Sequence, residues 1–213
     1  MSFYKKVNLP PIYQLILTGL FPKKERLKVL DLGCGLGTAG ELFNNKKNHN
    51  FTGIDFFQPY LNICKRNGYY RSVIKADLTK IKLLSRSYDV VLLLQVLEHL
   101  TDKEARLLLK QVTAAARECI IISLPNGHCD QGQYDQNRSH IHKSTWFHEQ
   151  LEALGFKVYG QSFKPVFGNK SFGAGEKAKL WQHVAVFLSV FIAPLIYIKP
   201  EWGAQLIGIK YVK

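Results

Sequence analysis

From residue 28 onward the chain alternates short apolar runs with longer stretches in which apolar positions recur every three to four residues. The runs KVLDL (28–32), FTGID (51–55), SVIKAD (72–77), YDVVLLL (88–94), ECIIISL (118–124), FKVYGQSF (156–163) and QLIGIKYV (205–212) read as seven strands. VVLLL and IIIS are almost free of polar interruption, the pattern of strands covered on both faces, so the fourth and fifth strands belong in the middle of a sheet. Helix signals fall between the strands. Thr101 and Glu104 have the spacing of a capping box at the head of 102–117, where Leu107, Leu108, Val112 and Ala115 repeat with helical period. Ser144 can cap a helix over 145–154, and Gly155 is a natural stop. This alternation predicts an α/β architecture, a three-layer sandwich around a mainly parallel seven-stranded sheet. The last strand follows a long excursion rather than a simple crossover and is expected to run antiparallel.

A chain of 213 residues, 46% hydrophobic and 21% charged, suffices for one substantial core and is short for two, so a single domain is expected. Cys34, Cys64, Cys119 and Cys129 form no CxxC pair, and residues 1–24 lack a small-residue cleavage site after their interrupted apolar run. Both observations point to a reducing, cytoplasmic setting. Lys and Arg outnumber Asp and Glu by 29 to 16, and a net charge of +13 suits an anionic partner: nucleic acid, an anionic membrane surface or an acidic substrate.

The first strand runs into VLDLGCGLGTAG (29–40), whose Gly33, Gly35 and Gly37 are spaced GxGxG. A dinucleotide fingerprint needs GxGxxG, and Gly40 comes too late to complete it. The acids at the strand ends carry more information. Asp31, two residues before the first glycine, is placed for a bound cation rather than a pyrophosphate. Asp55 ends the second strand, where a carboxylate can accept from both hydroxyls of a ribose. Asp77, at the end of the third, can accept from an exocyclic amine on a base. A nicotinamide dinucleotide would also call for a substrate domain, for which the chain has no room.

VLDLGCGLGT, GID, KADL and YDVVLLLQVLEHL, in this order over about residues 28–100, resemble the successive motifs of class I S-adenosylmethionine-dependent methyltransferases. The resemblance implies a Rossmann-like three-layer sandwich, one methyltransferase domain over 1–213 with an apolar helical insertion at about 176–200, and S-adenosylmethionine as cofactor, leaving as S-adenosylhomocysteine. It implies that Gly33, Cys34, Gly35 and Gly37 line the methionine part of the cofactor, with Asp31 and Thr38 in the same set. By the same resemblance Asp55 takes the ribose hydroxyls beside Phe56, Asp77 and Leu78 flank the adenine, and Gln95, Val96 and Leu97 close the pocket.

A sulfonium methyl carries its own activation, so the protein mainly aligns a nucleophile with the departing sulfur and removes a proton where needed. Open α/β sheets bind ligands at the carboxyl ends of their strands, and the fourth strand ends in QVLEHL. His99 can accept a proton there near neutral pH, with Glu98 as an orienting carboxylate. The fifth strand is followed by a long polar stretch to residue 146, of a length usual for a lid or binding loop. Its end, DQNRSHIHKSTW, is similar to an HxSxW segment of a bacterial quinone-biosynthesis-type group of small-molecule methyltransferases, which makes His142 a catalytic candidate ahead of Ser144 and Trp146. His128, Cys129, His140 and His142 do not have the spacing of a closed zinc site, so no metal is expected.

Residues 180–198, LWQHVAVFLSVFIAPLIYI, contain no charged side chain and reach the length of a membrane span. The six residues that follow reach only roughly 20 Å, less than the ~30 Å hydrocarbon core the chain would have to recross to rejoin the sheet. The stretch is expected to pack on the sheet or on a second copy, or to dip into an anionic membrane surface with Lys177, Lys179 and Lys199 at its flanks. These readings combine into methyl transfer to an oxygen or nitrogen of a small-molecule acceptor, lipid-linked or glycosylated, by a cytoplasmic, membrane-peripheral monomer or homodimer. A nucleic-acid methyltransferase is the rival invited by the charge, although QVLEHL is not the Asn/Asp-Pro-Pro-Tyr type of segment used in base-amino methylation. The other alternative is a non-catalytic protein that keeps the fold.

Overall fold

The computed structural model describes residues 11–46, 48–129, 141–164 and 191–212. Helix α1 (Pro11–Leu20) precedes the unit β1 (Lys28–Leu32), α2 (Thr38–Asn44), β2 (Asn50–Asp55), α3 (Gln58–Asn67) and β3 (Ser72–Lys75). Strand β4 (Tyr88–Leu94), a single 3-10 turn over Leu97–His99, α4 (Asp102–Ala115) and β5 (Ala116–Pro125) follow. The chain closes with α5 (His148–Ala153), β6 (Lys157–Phe163), helical residues 191–198 (α6) and β7 (Gly203–Tyr211).

The seven strands lie in the order β3-β2-β1-β4-β5-β7-β6, and β7 pairs antiparallel with both β5 and β6 while the other pairs are parallel. The mainly parallel sheet and its antiparallel last strand are as the sequence predicts. The unbroken apolar runs do take the centre. On β4, Val91 and Leu93 join the core on one face and Val90 and Leu92 the core on the other; on β5, Ile120 and Ile122 oppose Cys119 and Ile121 in the same way. This is the two-residue alternation of a sheet buried on both sides.

The capping box at the head of α4 is formed: the Thr101 hydroxyl accepts from the Glu104 amide, and the Glu104 carboxylate accepts from the Thr101 amide at 2.9 Å. The cap expected of Ser144 is not. Helix α5 begins only at His148, with the Phe147 amide donating to Gln150 Oε1, because Ser144 is occupied elsewhere: its hydroxyl donates to the Leu97 carbonyl and accepts from Trp146 Nε1. Gly155 ends the segment with a positive φ of 85°.

Of the apolar stretch 180–198 and the insertion expected over 176–200, residues 176–190 lie outside the described residues. Helix α6 rests on β6 through buried Ile196 and through Tyr197, whose ring stacks on Tyr159 at 4.3 Å. Any Cβ on Gly160 would strike the Ile196 carbonyl, so the glycine is what allows this approach. Phe191, Leu195 and Ile198 stay exposed on the outer side. Among the described residues no helix is long and apolar enough to cross a membrane.

Candidate functional site

The strand ends of β1, β2 and β4 open onto a cavity of about 490 Å³. Gly33, Gly35 and Gly37 all have positive φ, at 71°, 51° and 87°, so the turn after β1 follows a path that favours residues without a Cβ. At Gly33 a Cβ would stand 2.6 Å from Val96 Cγ2, filling the space between the turn and the end of β4. The turn is tied to β2: the Gly33 and Cys34 amides donate to the Ile54 carbonyl, and the Gly35 amide donates to Asp55 Oδ2 at 2.8 Å. Asp55 Oδ1 accepts from the Phe57 amide, also at 2.8 Å. A carboxylate has about four acceptor positions, and two remain on Asp55 at the cavity wall. Asp77 lies beyond the end of β3, where the hydroxyl and amide of Thr79 bond its Oδ1 and hold its carboxyl below the usual range.

The far wall begins where β4 ends. Gln95 has the left-handed φ of 58°, unusual for a residue with a side chain, and bonds Gln205 Oε1 of β7 through its Nε2. The 3-10 turn that follows presents His99 to the cavity and buries Glu98. The Lys143 and Ser144 amides both donate to the Glu98 carbonyl, at 2.7 and 3.2 Å. With the bonds of Ser144 and the nearly inaccessible Trp146, these seat residues 141–147 on the turn and bring the His142 ring to 5.0 Å from that of His99. Burial pushes the Glu98 carboxyl up to about 8, and neither of its oxygens has a hydrogen-bond partner among the described residues.

Most of the expected cofactor residues line the cavity: Gly33, Gly35, Thr38, Asp55, Phe56, Asp77, Leu78, Gln95 and Val96, with His99 of the catalytic candidates. Asp31, Cys34, Gly37 and Leu97 do not. Strand alternation turns Asp31 to the face of Val29, where it accepts from the Tyr70 hydroxyl at 2.6 Å and burial lifts its carboxyl to about 7; it supports the turn from beneath. Cys34 and Leu97 are core residues, and Gly37 is pressed against Cys64 and Tyr70. Glu98 and His142 reach the site through His99, with which they form a cluster whose ligating atoms all lie within 4.8 Å. Spacing along the chain could not reveal this cluster, because its members come from two separate segments. His140 lies outside the described residues. Leu36, Tyr60, Thr79, Leu94, Leu100 and Lys143 also line the cavity. Lys143 was within reach of sequence reasoning, since a cation beside His142 on a lid segment is a candidate in its own right.

Residues 29–118, from β1 into β5, match the family described as a methyltransferase domain. No curated protein matches the chain in sequence. The chain is similar in structure to a SAM-dependent methyltransferase from Archaeoglobus fulgidus, with TM-score 0.60 and 19% identity over 94% of this chain and 93% of that one. It is similar to phosphoethanolamine N-methyltransferase 2 from Haemonchus contortus in complex with S-adenosyl-L-methionine, with TM-score 0.60 and 18% identity over 95% of this chain; it spans about half of that protein, 52%. Magnesium protoporphyrin IX methyltransferase from Synechocystis PCC 6803 with bound SAM gives TM-score 0.50 and 16% identity over 95% of this chain and 76% of that one. At these identities the likeness is one of fold, and the fold is that of the SAM-dependent methyltransferases.

Proposed function

We propose that this chain transfers the methyl group of S-adenosylmethionine to an oxygen or nitrogen of a small acceptor, apolar, lipid-linked or glycosylated, that enters beside Lys143 and the Glu98–His99–His142 cluster. The matched family is described as a methyltransferase domain, the similar solved structures include S-adenosylmethionine-dependent methyltransferases, and the residues present fit that donor. The left-handed glycine turn leaves room for a ligand against backbone, Asp55 has two acceptor positions left for ribose hydroxyls, and Asp77 stands ready for an amine. The donor supplies an activated methyl, whose carbon bonds to the acceptor atom while the carbon–sulfur pair stays with sulfur and the acceptor's proton is released. The chain's part is to hold the two reactants in line and to let that proton leave beside the cluster.

The observation that carries this reading is the meeting of the two walls in one cavity, with a cofactor cradle on β1–β2 and titratable groups from residues 97–99 and 141–147 facing it. A membrane surface as the place of work is supported by Phe191, Leu195 and Ile198 exposed along α6, by Lys199 against Trp202 and by the net charge of +13. Incubating the protein with methyl-labelled S-adenosylmethionine and separate lipid, aqueous and nucleic-acid fractions tests the proposal. Label is expected in the lipid or small-molecule fraction; label in nucleic acid alone would favour the rival that the charge invites, and none anywhere would remove the activity.

A further inference from the structure

Glu98 is 2% exposed, and a buried carboxylate whose two oxygens lack partners is a costly arrangement unless something on the spot meets them. Two imidazoles stand close to it. One oxygen of Glu98 and one ring nitrogen from each of His99 and His142 lie within 4.8 Å of one another. Two ligand atoms on one ion, each at about 2.1 Å, stand roughly 3 to 4 Å apart, so the spread is about an ångström beyond that of a bound ion. The set is also built. The Lys143 and Ser144 amides and the Ser144 hydroxyl fasten the His142 segment to the turn carrying the other two residues, and Trp146 locks it from below.

We propose that Glu98, His99 and His142 bind one divalent cation of borderline character, such as Mn²⁺, Zn²⁺, Co²⁺ or Fe²⁺, and that the cation receives the acceptor through a hydroxyl oxygen. Two imidazoles and one carboxylate suit such ions better than Mg²⁺ or Ca²⁺, which favour oxygen ligands throughout. Three protein ligands leave coordination positions open, and His99 lines the cavity, so the open side faces the place where acceptor and donor meet. A hydroxyl on the ion loses its proton to solvent water near neutral pH and keeps a lone pair for the methyl carbon. An amine has one lone pair, which the ion would occupy. The second half of the proposal rests on the methyl-transfer reading and narrows its acceptor atom to oxygen.

The full chain, stripped with a chelator and dialysed, is titrated by calorimetry with MnCl₂ and with ZnCl₂, and with CoCl₂ followed by visible absorption. One ion per chain is expected, with affinity falling about 100-fold or more in Glu98→Gln and His142→Ala while circular dichroism is unchanged. No saturable one-to-one binding by the wild type, or equal binding by both variants, overturns the site. If Glu98→Gln fails to fold, His142→Ala decides, since its ring is only half-buried. S-adenosylhomocysteine is titrated into the same stripped protein. Ion binding without nucleoside binding would sink the methyl-transfer reading and leave the cation site; the reverse would sink the site alone. Transfer to a hydroxyl acceptor that is unchanged by chelator overturns the cation's part in the reaction.

Discussion

The two walls of the cavity are made in opposite ways. The wall proposed to hold the cofactor is written locally: a glycine turn, a carboxylate at the end of the next strand and a second carboxylate after the strand beyond, each fixed by backbone bonds within its own βα unit or the adjacent one. The opposite wall, where the acceptor is proposed to enter, is assembled from distant parts: the turn at 97–99, the segment 141–147 and Gln205 of β7 through Gln95. The matched methyltransferase domain, residues 29–118, contains the whole of the first wall and stops before most of the second. A donor common to many enzymes can be held by a repeatable local pattern, whereas an acceptor particular to one needs surfaces that only the folded chain brings together.

Variants on the two walls should therefore fail differently. His99→Ala is expected to lower turnover roughly 10²- to 10⁴-fold with S-adenosylhomocysteine affinity nearly unchanged. Asp55→Ala should weaken nucleoside binding by about 1.5 to 3 kcal/mol, since it removes a charged acceptor and frees the Gly35 and Phe57 amides. Calorimetry beside a methyl-transfer assay separates the two; matching losses in both quantities from either variant would erase the division of labour.

Helix α6, which lies on β6 away from the cavity lining, sets the next expectation. Changing Phe191, Leu195 and Ile198 to Ser should reduce co-sedimentation with anionic vesicles about tenfold at low salt, and high salt should weaken the wild type as well. Binding that ignores both changes would detach α6 from any membrane role.

Asp31 shows how far the local script can be read. That the strand-end acids Asp55 and Asp77 and the glycines Gly33 and Gly35 would meet at one cavity was legible, because a GxGxG turn imposes its backbone path whatever surrounds it. Asp31 has the same surface credentials in the sequence, yet its position in the two-residue alternation of β1 sends it under the turn to Tyr70, and Tyr70 announces nothing by motif. Helix α1 was not legible either: its Tyr13 bonds Ser123 across the molecule, a contact that only the folded sheet creates. The central strands, the α4 capping box and the antiparallel last strand follow from periodicity and connection length; the meeting of Glu98 with His142 follows from neither.

A stability effect also follows from that burial. Asp31 keeps its proton in the folded state up to about pH 7, far above the unfolded carboxyl, so its contribution is fully present below about pH 4 and is lost as pH rises toward 7. Urea unfolding of the wild type should lose stability across that window with a slope of at most ~1.4 kcal/mol per pH unit relative to Asp31→Asn. Parallel curves would mean that the carboxyl titrates alike in both states.

S-adenosylmethionine is proposed to lie against the glycine turn with its methyl toward residues 97–99, and amide hydrogen exchange of the wild type with and without S-adenosylhomocysteine reads that placement residue by residue. Slowed exchange is predicted at residues 33–38, 55–57, 78–79 and 95–99. Absence of protection there, or protection confined to the separate cavity lined by Arg26, His49 and Arg71, would contradict it.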